Sequence, residues 1–188
     1  MIFADIASGF TEYGARLTYI FQLLSILEIV HALIGLVNSN AATTSIQVFG
    51  RLQVLYVHFH IPEARESIGV ISMVLAWALV ELVRYPYLAL KMIKIEPSRL
   101  MWLRYSLFFV LYPIGVYGEM RVLYDALPGI ETSQFHSVQL PNEWNFTFSF
   151  SLYIRMLLLF AYLPGLAGQY MHMMKQRKLA LEKLKKSI

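Results

Sequence analysis

Five long apolar stretches alternate with short polar segments along the chain. Each approaches the length at which an α-helix crosses a hydrocarbon layer roughly 30 Å thick, which takes about 20 residues. The stretches are Thr18 to Val37, Thr43 to Ile61, Ile68 to Leu90, Leu103 to Leu127 and Phe148 to Met174. This pattern predicts an all-α fold, a polytopic transmembrane helix bundle with about five spans.

The second stretch is the most polar of the five. Gln47, Arg51, Gln53 and His58 interrupt its apolar residues. Polar side chains at membrane depth are tolerated where they face protein or a water-filled cavity. We therefore expect this helix to lie inside the bundle.

The composition agrees with a membrane protein of one domain. Hydrophobic residues make up 57% of the 188 residues and charged residues only 15%, more apolar surface than a soluble domain of this size can bury. The chain has no cysteine, which excludes disulfides, thiolate nucleophiles and cysteine-ligated metal centres. Because no repeat or flexible linker divides the sequence, we expect residues 1–188 to be a single membrane-embedded domain.

Basic residues are concentrated in two regions, and these predict the orientation. One region lies between Lys91 and Arg104, and the other is the tail formed by residues 175–188. The positive-inside rule places both in the cytosol. The segment from Pro128 to Thr147 has no Lys or Arg, which favours the opposite side. The basic tail suits anionic lipid headgroups better than nucleic acid, so no nucleic-acid partner is expected.

Several ionisable residues fall inside the predicted spans. Each costs about 2.5–3.5 kcal/mol there on insertion scales and therefore needs a partner or a function. Three sets share a helix face by their spacing: Glu28 with His31, Gln47 with Arg51, and Glu81 with Arg84 and Tyr85. Mutual charge satisfaction is the favoured interpretation of Glu81 with Arg84, and we expect Arg51 to pair with Glu28 across two helices.

The Glu28-x-x-His31 spacing is half of a di-iron carboxylate motif. Such sites need the motif twice together with further carboxylates, and the chain contains it once. Histidine-rich boxes are also absent. No metal site is therefore predicted.

The fourth stretch holds a second kind of polar pair, Tyr112 and Glu119. Seven residues apart on a helix, they point within about 20° of the same direction and lie roughly 10 Å apart along the axis. Pro113 removes a backbone hydrogen bond, and Gly115 and Gly118 remove side-chain bulk, so a ligand can approach the backbone here. A phenol and a carboxyl group in one water-poor cavity can act as a general acid and a general base. On the residues alone, catalysis and structural polarity remain equally good interpretations.

These residues resemble the 3-hydroxyacyl-CoA dehydratase family, also called protein-tyrosine-phosphatase-like, from about Arg16 to Lys178. The resemblance is carried, in order, by Leu27 to Gly35, by Gln47 and Arg51, by Trp77 with Glu81, Arg84 and Tyr85, by Leu103-Arg104-Tyr105, by Tyr112-Pro113-x-Gly115-x-x-x-Glu119, and by Leu140-Pro141-Asn142. The phosphatase name does not imply that chemistry, because a cysteine phosphatase needs a thiolate.

The resemblance implies dehydration of a very-long-chain 3-hydroxyacyl-CoA to the trans-2-enoyl-CoA, during fatty acid elongation in the endoplasmic reticulum membrane and without a cofactor. It implies that Tyr112 and Glu119 are the catalytic pair. Our hypothesis is that Tyr112 takes the C2 proton and Glu119 protonates the leaving oxygen, and the exchanged roles fit the same chemistry. Arg99 and Arg104 are candidates to hold the phosphates of CoA, with Tyr105 beside them. The implied partners are the other elongase components: the condensing enzyme, the ketoacyl reductase and the enoyl reductase.

Two features of the ends bear on this resemblance. The last residues, Lys185-Lys186-Ser187-Ile188, are similar to a dilysine retrieval signal of the endoplasmic reticulum, which acts on a cytosolic tail. The family usually has a further span before the segment with Glu28, giving six spans, whereas we expect residues 1–17 to be too short and polar to cross. A catalytically impaired member that acts as a membrane scaffold or elongase partner is therefore the alternative function. A proton-coupled transporter is a third possibility, because buried Glu, His and Arg also form proton relays.

Overall fold

Nine α-helices and one π-helical segment follow one another in the computed structural model, which describes residues 2–36 and 40–185. They are α1 (Ile2–Leu24), α2 (Ile26–Leu33), α3 (Ala41–His60), α4 (Pro62–Arg65), α5 (Gly69–Met92), α6 (Ser98–Arg104), α7 (Phe108–Ser133), α8 (Phe150–Met156), the π-helical segment Leu157–Tyr162, and α9 (Leu163–Lys185). The prediction of an all-α helix bundle is confirmed. Residues 186–188, and with them most of the dilysine-like ending, lie outside the described residues.

Four regions of the described chain are long and apolar enough to cross a membrane: Tyr13–Leu33, Gly69–Met92, Ser98–Ser133 and Phe150–Glu182. They coincide with four of the five predicted spans. The remaining predicted span, Thr43 to Ile61, corresponds to α3. It forms a helix at the predicted place but is not among these four regions, in agreement with its many polar residues. Its membrane crossing stays a prediction.

Two boundaries differ from the predicted ones. The first helix begins well before the predicted start of the first span at Thr18, because α1 runs from Ile2 to Leu24. The fourth helix does not end at Leu127: α7 continues through Pro128 and ends at Ser133, followed by the cap residue Gln134, whose left-handed backbone has φ 52°. Pro128 has no N–H to donate to the Tyr124 carbonyl, an interruption that transmembrane helices tolerate when neighbouring groups compensate. One turn later, Thr132 Oγ1 donates a hydrogen bond to the Pro128 carbonyl at 2.9 Å.

Side chains fix the starts of two helices. The Asn40 side chain accepts hydrogen bonds from the backbone N–H groups of Ala42 and Thr43, and this caps α3. Ser149 caps α8 in the same way by accepting from Leu152 N–H. The caps separate the apolar helices from the polar connections that precede them.

Helices α5 and α7 form the central pair of the bundle, and their crossing is set by two glycines. A Cβ atom on Gly118 would lie 2.6 Å from the Met73 backbone nitrogen and 2.7 Å from the Gly69 carbonyl oxygen. A Cβ atom on Gly69 would lie 2.6 Å from the Gly118 carbonyl oxygen. Small residues of this kind allow transmembrane helix backbones to approach closely. The crossing places Trp77 of α5 beside Glu119 of α7.

The buried core surrounds this pair. Its largest fully buried side chains come from α3, α5, α7 and α8, and include Leu55, Met73, Leu123, Ile130 and Ile154. Many large apolar side chains elsewhere are exposed, such as Leu82, Val110 and Phe160. An apolar exterior around a packed interior is what a surrounding lipid bilayer requires.

Candidate active site

The carboxyl group of Glu119 is held at both oxygens by side chains from other helical segments. The Trp77 indole Nε1–H of α5 donates to Oε1 at 2.9 Å. The Tyr162 hydroxyl, at the end of the π-helical segment, donates to Oε2 at 3.0 Å. The carboxyl group therefore lies between α5 and the last membrane helix, inside the bundle.

Tyr112 lies on the same side of α7. Its ring is 6.5 Å from that of Tyr170 on α9. Both members of the predicted pair thus face the last membrane helix, Tyr112 toward its Tyr170 and Glu119 toward its Tyr162. That the phenol and the carboxyl group share one water-poor cavity stays a prediction.

An ion-pair network lies next to this region and joins α2, α3 and α5. Arg51 Nη1 is 3.2 Å from Glu81 Oε1, and Arg84 Nε is 2.7 Å from Glu81 Oε2. Arg84 also forms a two-pronged pair with Glu28, and the Tyr85 hydroxyl donates to Glu28 Oε1 at 3.2 Å. The predicted Glu81–Arg84 pair is confirmed. The predicted Arg51–Glu28 pair is wrong, because Arg84 binds Glu28 and leaves Arg51 to Glu81.

Arg51 connects the network to the candidate catalytic carboxyl group. Its guanidinium carbon lies over the Trp77 ring, 5.0 Å from the ring centre. This is a cation–π contact, in which the cation is attracted to the face of the aromatic ring. The Nε1–H group at the edge of the same ring donates a hydrogen bond to Glu119. Trp77 therefore lies between the charged network and the Glu119 site.

Two predicted supporting residues do not join the cluster. His31 and Gln47 are both exposed on their helices, and no hydrogen bond or ion pair connects either to Glu28, Arg51 or Glu81 among residues 2–36 and 40–185. Spacing alone put each on a face with its neighbour, but the helix rotation turns that face partly outward. Two other polar residues of α3 do face protein: His58 is buried, and Gln53 accepts a hydrogen bond from Tyr153 at 3.1 Å.

Arg104 lies near the end of α6, in a cage of aromatic rings. Its guanidinium is 5.0 Å from the Tyr87 ring and 5.5 Å from the Tyr105 ring. Its Nε and Nη1 atoms are buried and have no hydrogen-bond partner among the described residues. Arg177 of α9 reaches the same connection by donating to Ser106 Oγ at 3.1 Å. Arg99, in contrast, is exposed.

Tyr162 is the residue that the sequence analysis missed. It stands in the apolar run Leu157 to Leu163, where a tyrosine has the appearance of a lipid-facing or core aromatic residue. The sequence places Tyr162 within the predicted span Phe148 to Met174. The direction of its side chain toward Glu119, however, depends on the π-helical segment. No pattern of apolar residues distinguishes one π-helical turn from a continuous α-helix.

The fold and this site define a polytopic membrane protein whose bundle encloses a tethered carboxyl group. The family model for "Protein tyrosine phosphatase-like protein, PTPLA" matches residues 22–183, and the chain belongs to that family. The resemblance seen in the sequence is thereby confirmed.

Curated relatives align with most of this chain. It is 41% identical over 167 residues to the very-long-chain (3R)-3-hydroxyacyl-CoA dehydratase PASTICCINO 2 of Arabidopsis thaliana, which covers 88% of this chain and 75% of the plant protein. It is 38% identical over 161 residues to the very-long-chain (3R)-3-hydroxyacyl-CoA dehydratase hpo-8 of Caenorhabditis elegans, covering 85% and 73% of the two chains. The mouse very-long-chain (3R)-3-hydroxyacyl-CoA dehydratase 2 is 36% identical over 162 residues, covering 86% and 63%. No solved structure matches the chain.

Proposed function

We propose that this protein removes water from a long- or very-long-chain 3-hydroxyacyl-CoA to give the trans-2-enoyl-CoA, the dehydration step of fatty acid elongation. The names of its relatives describe this activity. The observation in this chain that carries the proposal is the Glu119 carboxyl group, held inside the bundle on the same side of α7 as Tyr112. A carbon–oxygen lyase needs such an acid–base pair.

The chemistry needs one base and one acid. The base removes the proton from C2, next to the thioester carbonyl, and the C–H electron pair forms the double bond between C2 and C3. The C3–O bond breaks, and the departing hydroxyl takes a proton from the acid and leaves as water. The base ends with one proton more and the acid with one fewer, and proton exchange restores both. We assign the base to Tyr112, acting as its phenolate, and the acid to Glu119, acting as its protonated carboxyl group.

The acyl chain and the CoA have different requirements. The acyl chain is apolar and suits the interior of the bundle, which is lined by apolar helices. The phosphates of CoA need cations, and Arg104 offers guanidinium N–H groups that have no partner among the described residues. Arg177 adds a second guanidinium at the same connection. We therefore propose that CoA binds at the α6 end of the bundle, where the exposed Arg99 remains a further candidate for a phosphate contact.

The cellular setting follows from the same proposal. The basic residues near α6 and in α9 favour a cytosolic location for both, and CoA thioesters in the cytosol would reach the Arg104 end directly. We propose the endoplasmic reticulum membrane as the location, with the C-terminus in the cytosol. The proposed partners are the condensing enzyme, the ketoacyl reductase and the enoyl reductase of the elongation cycle.

The test is turnover of a long-chain 3-hydroxyacyl-CoA by the full chain in membranes or micelles. We expect Tyr112→Phe and Glu119→Gln each to lower kcat by about 10²- to 10⁴-fold, the usual contribution of a general acid or base. Tyr117→Phe is the matched control, because Tyr117 is on the same helix and 59% exposed. Full turnover in both active-site variants, or none in the unmutated protein, would refute the proposal.

A further inference from the structure

The two donors to Glu119 differ in what they can do. An indole N–H can only donate a hydrogen bond, so Oε1 remains an acceptor whatever the state of the carboxyl group. A tyrosine hydroxyl can donate or accept. When Glu119 is ionised, Tyr162 donates to Oε2. When Glu119 carries a proton on Oε2, the same contact can persist in two ways: Tyr162 accepts that proton in a reversed hydrogen bond, or it donates to the remaining lone pair of Oε2 while the proton points at the substrate.

The Trp77 ring is fixed on several sides. It is 3% exposed, and the Arg51 guanidinium lies 5.0 Å from its centre. A Cβ atom on Gly115 would lie 3.8 Å from both Cδ1 and Nε1 of the ring, so the glycine surface of α7 packs against the edge that carries the donor. With its ring held in this way, Trp77 directs a rigid donor at Oε1.

The position of Tyr162 depends on an unusual piece of backbone. The π-helical segment Leu157–Tyr162 ends at this residue. One extra residue in a helical turn rotates every later side chain by about 100° relative to a continuous α-helix. Such π-helical turns are rare and are found mostly at functional sites. Here the rotation aims the Tyr162 hydroxyl at Glu119 while Ile154, on α8 before the π-helical turn, remains in the core.

We infer that Trp77 and Tyr162 are positioning residues that keep the Glu119 carboxyl group in one orientation in both of its protonation states. The inference rests on the proposed function, since it assigns these residues a role in the dehydration. A carboxyl group that gains or loses a proton in each turnover would otherwise rotate when its hydrogen bonds change. With this pair it keeps both contacts throughout the cycle.

The test compares Tyr162→Phe and Trp77→Phe with a matched control, Tyr153→Phe. Tyr153 is nine residues earlier on the same helical stretch, and its hydroxyl bonds to Gln53 of α3 at 3.1 Å rather than to Glu119. Because small displacements of a catalytic group cost about 10²-fold, we expect Tyr162→Phe to lower kcat by about 10- to 100-fold with KM within about twofold. Tyr153→Phe should keep the kcat of the unmutated protein.

A second measurement separates positioning from a general loss of structure. In a Glu119→Asp background the carboxyl group is one methylene shorter and cannot keep both contacts, so Tyr162→Phe should cost less there than in the native background. An equal cost in both backgrounds would show that Tyr162 acts independently of Glu119 and would overturn the inference.

The remaining outcomes are also decisive. Native turnover in Tyr162→Phe, or an equal loss of kcat in Tyr162→Phe and Tyr153→Phe, would overturn the inference while leaving the dehydratase proposal intact. An unmutated protein without dehydratase activity would instead refute the proposed function itself. Trp77→Phe also removes buried volume, so its result is interpreted only if the variant elutes as the native protein does, and the Tyr162 series decides without it.

Discussion

The Gly118→Ala substitution tests the close crossing of α5 and α7. The added Cβ atom would lie 2.6 Å from the Met73 nitrogen, whereas ordinary contact begins at 3.4 Å. Its other near neighbours are the Gly69 carbonyl oxygen at 2.7 Å and the Ser72 hydroxyl at 2.8 Å. Two of these three atoms belong to the backbone of α5, which cannot rotate away. The helices must therefore move apart.

The size of the effect follows from the difference between the 2.6 Å separation and the ordinary contact distance of 3.4 Å. Restoring contact at 3.4 Å to an atom now 2.6 Å away requires a movement of about 0.8 Å. Overpacking of a well-packed interface costs about 1–3 kcal/mol, and we expect the upper end because the opposing atoms are backbone. For a chain of this size that corresponds to a fall in Tm of about 6–12 °C.

The same movement reaches the candidate active site, because Glu119 is the next residue and Trp77 lies on the opposing helix. The Trp77–Glu119 hydrogen bond is 2.9 Å long, and a lengthening of about 0.8 Å would take it beyond hydrogen-bond range. We therefore expect Gly118→Ala to lose activity as well as stability, with a fall in kcat of about 10-fold or more.

The assay is thermal unfolding in micelles together with turnover at a temperature where the variant is folded. Gly168→Ala is the matched control, since nothing lies within 4 Å of a Cβ atom at that position of α9 and an alanine in a helix interior is favourable by about 0.5–1 kcal/mol. A Gly118→Ala protein with the Tm and kcat of the Gly168→Ala control would refute the close crossing.

Three further predictions concern the charged residues and the orientation. Arg84→Met should lower the free energy of unfolding by about 2–3 kcal/mol, because it leaves the carboxylates of Glu28 and Glu81 without their shared cation. In the same unfolding measurement, the double variant with Glu28→Gln should recover part of this loss. Arg104→Gln should raise KM for the acyl-CoA by about 10-fold, yet leave KM unchanged for an acyl-pantetheine that lacks the nucleotide phosphates; equal effects on both substrates would contradict a phosphate contact. In intact microsomes, protease should remove a tag at the C-terminus and spare one inserted beside Asn142, and the reverse pattern would contradict the proposed orientation.

The sequence was sufficient for the helices because the bilayer imposes a length and an apolar composition on each span. It was less informative about α7 beyond Leu127. Pro128 has the appearance of a helix end there, but transmembrane helices tolerate proline, and α7 continues to Ser133 with Gly129 and Ile130 buried in the bundle. Helix boundaries therefore depended on tertiary contacts that hydropathy does not contain.

The candidate site was predictable only along a single helix. The spacing on α7 predicted that Tyr112 and Glu119 share a face, since 3.6 residues per turn fix that relation within the helix. The partner of Glu28 was not predictable in the same way, because Arg51 and Arg84 lie on different helices and only the rotation of each helix decides which cation faces it. The same reason explains why the exposed positions of His31 and Gln47 were unexpected.

The interface between α5 and α7 contributes both to the stability of the protein and to the geometry of the candidate active site. The two glycines that bring α5 and α7 together also bring Trp77 to Glu119, so a change that loosens the central helix pair moves a hydrogen-bond donor away from the carboxyl group. The last membrane helix makes a separate contribution, since the Tyr162 hydroxyl comes from the π-helical segment. Substitutions at the glycine crossing should therefore reduce stability and turnover together, whereas loss of the Tyr162 hydroxyl should reduce turnover far more than stability, because it leaves the α5–α7 packing unchanged. Measuring both quantities for both variants distinguishes a site held by packing from one held by a single hydrogen bond.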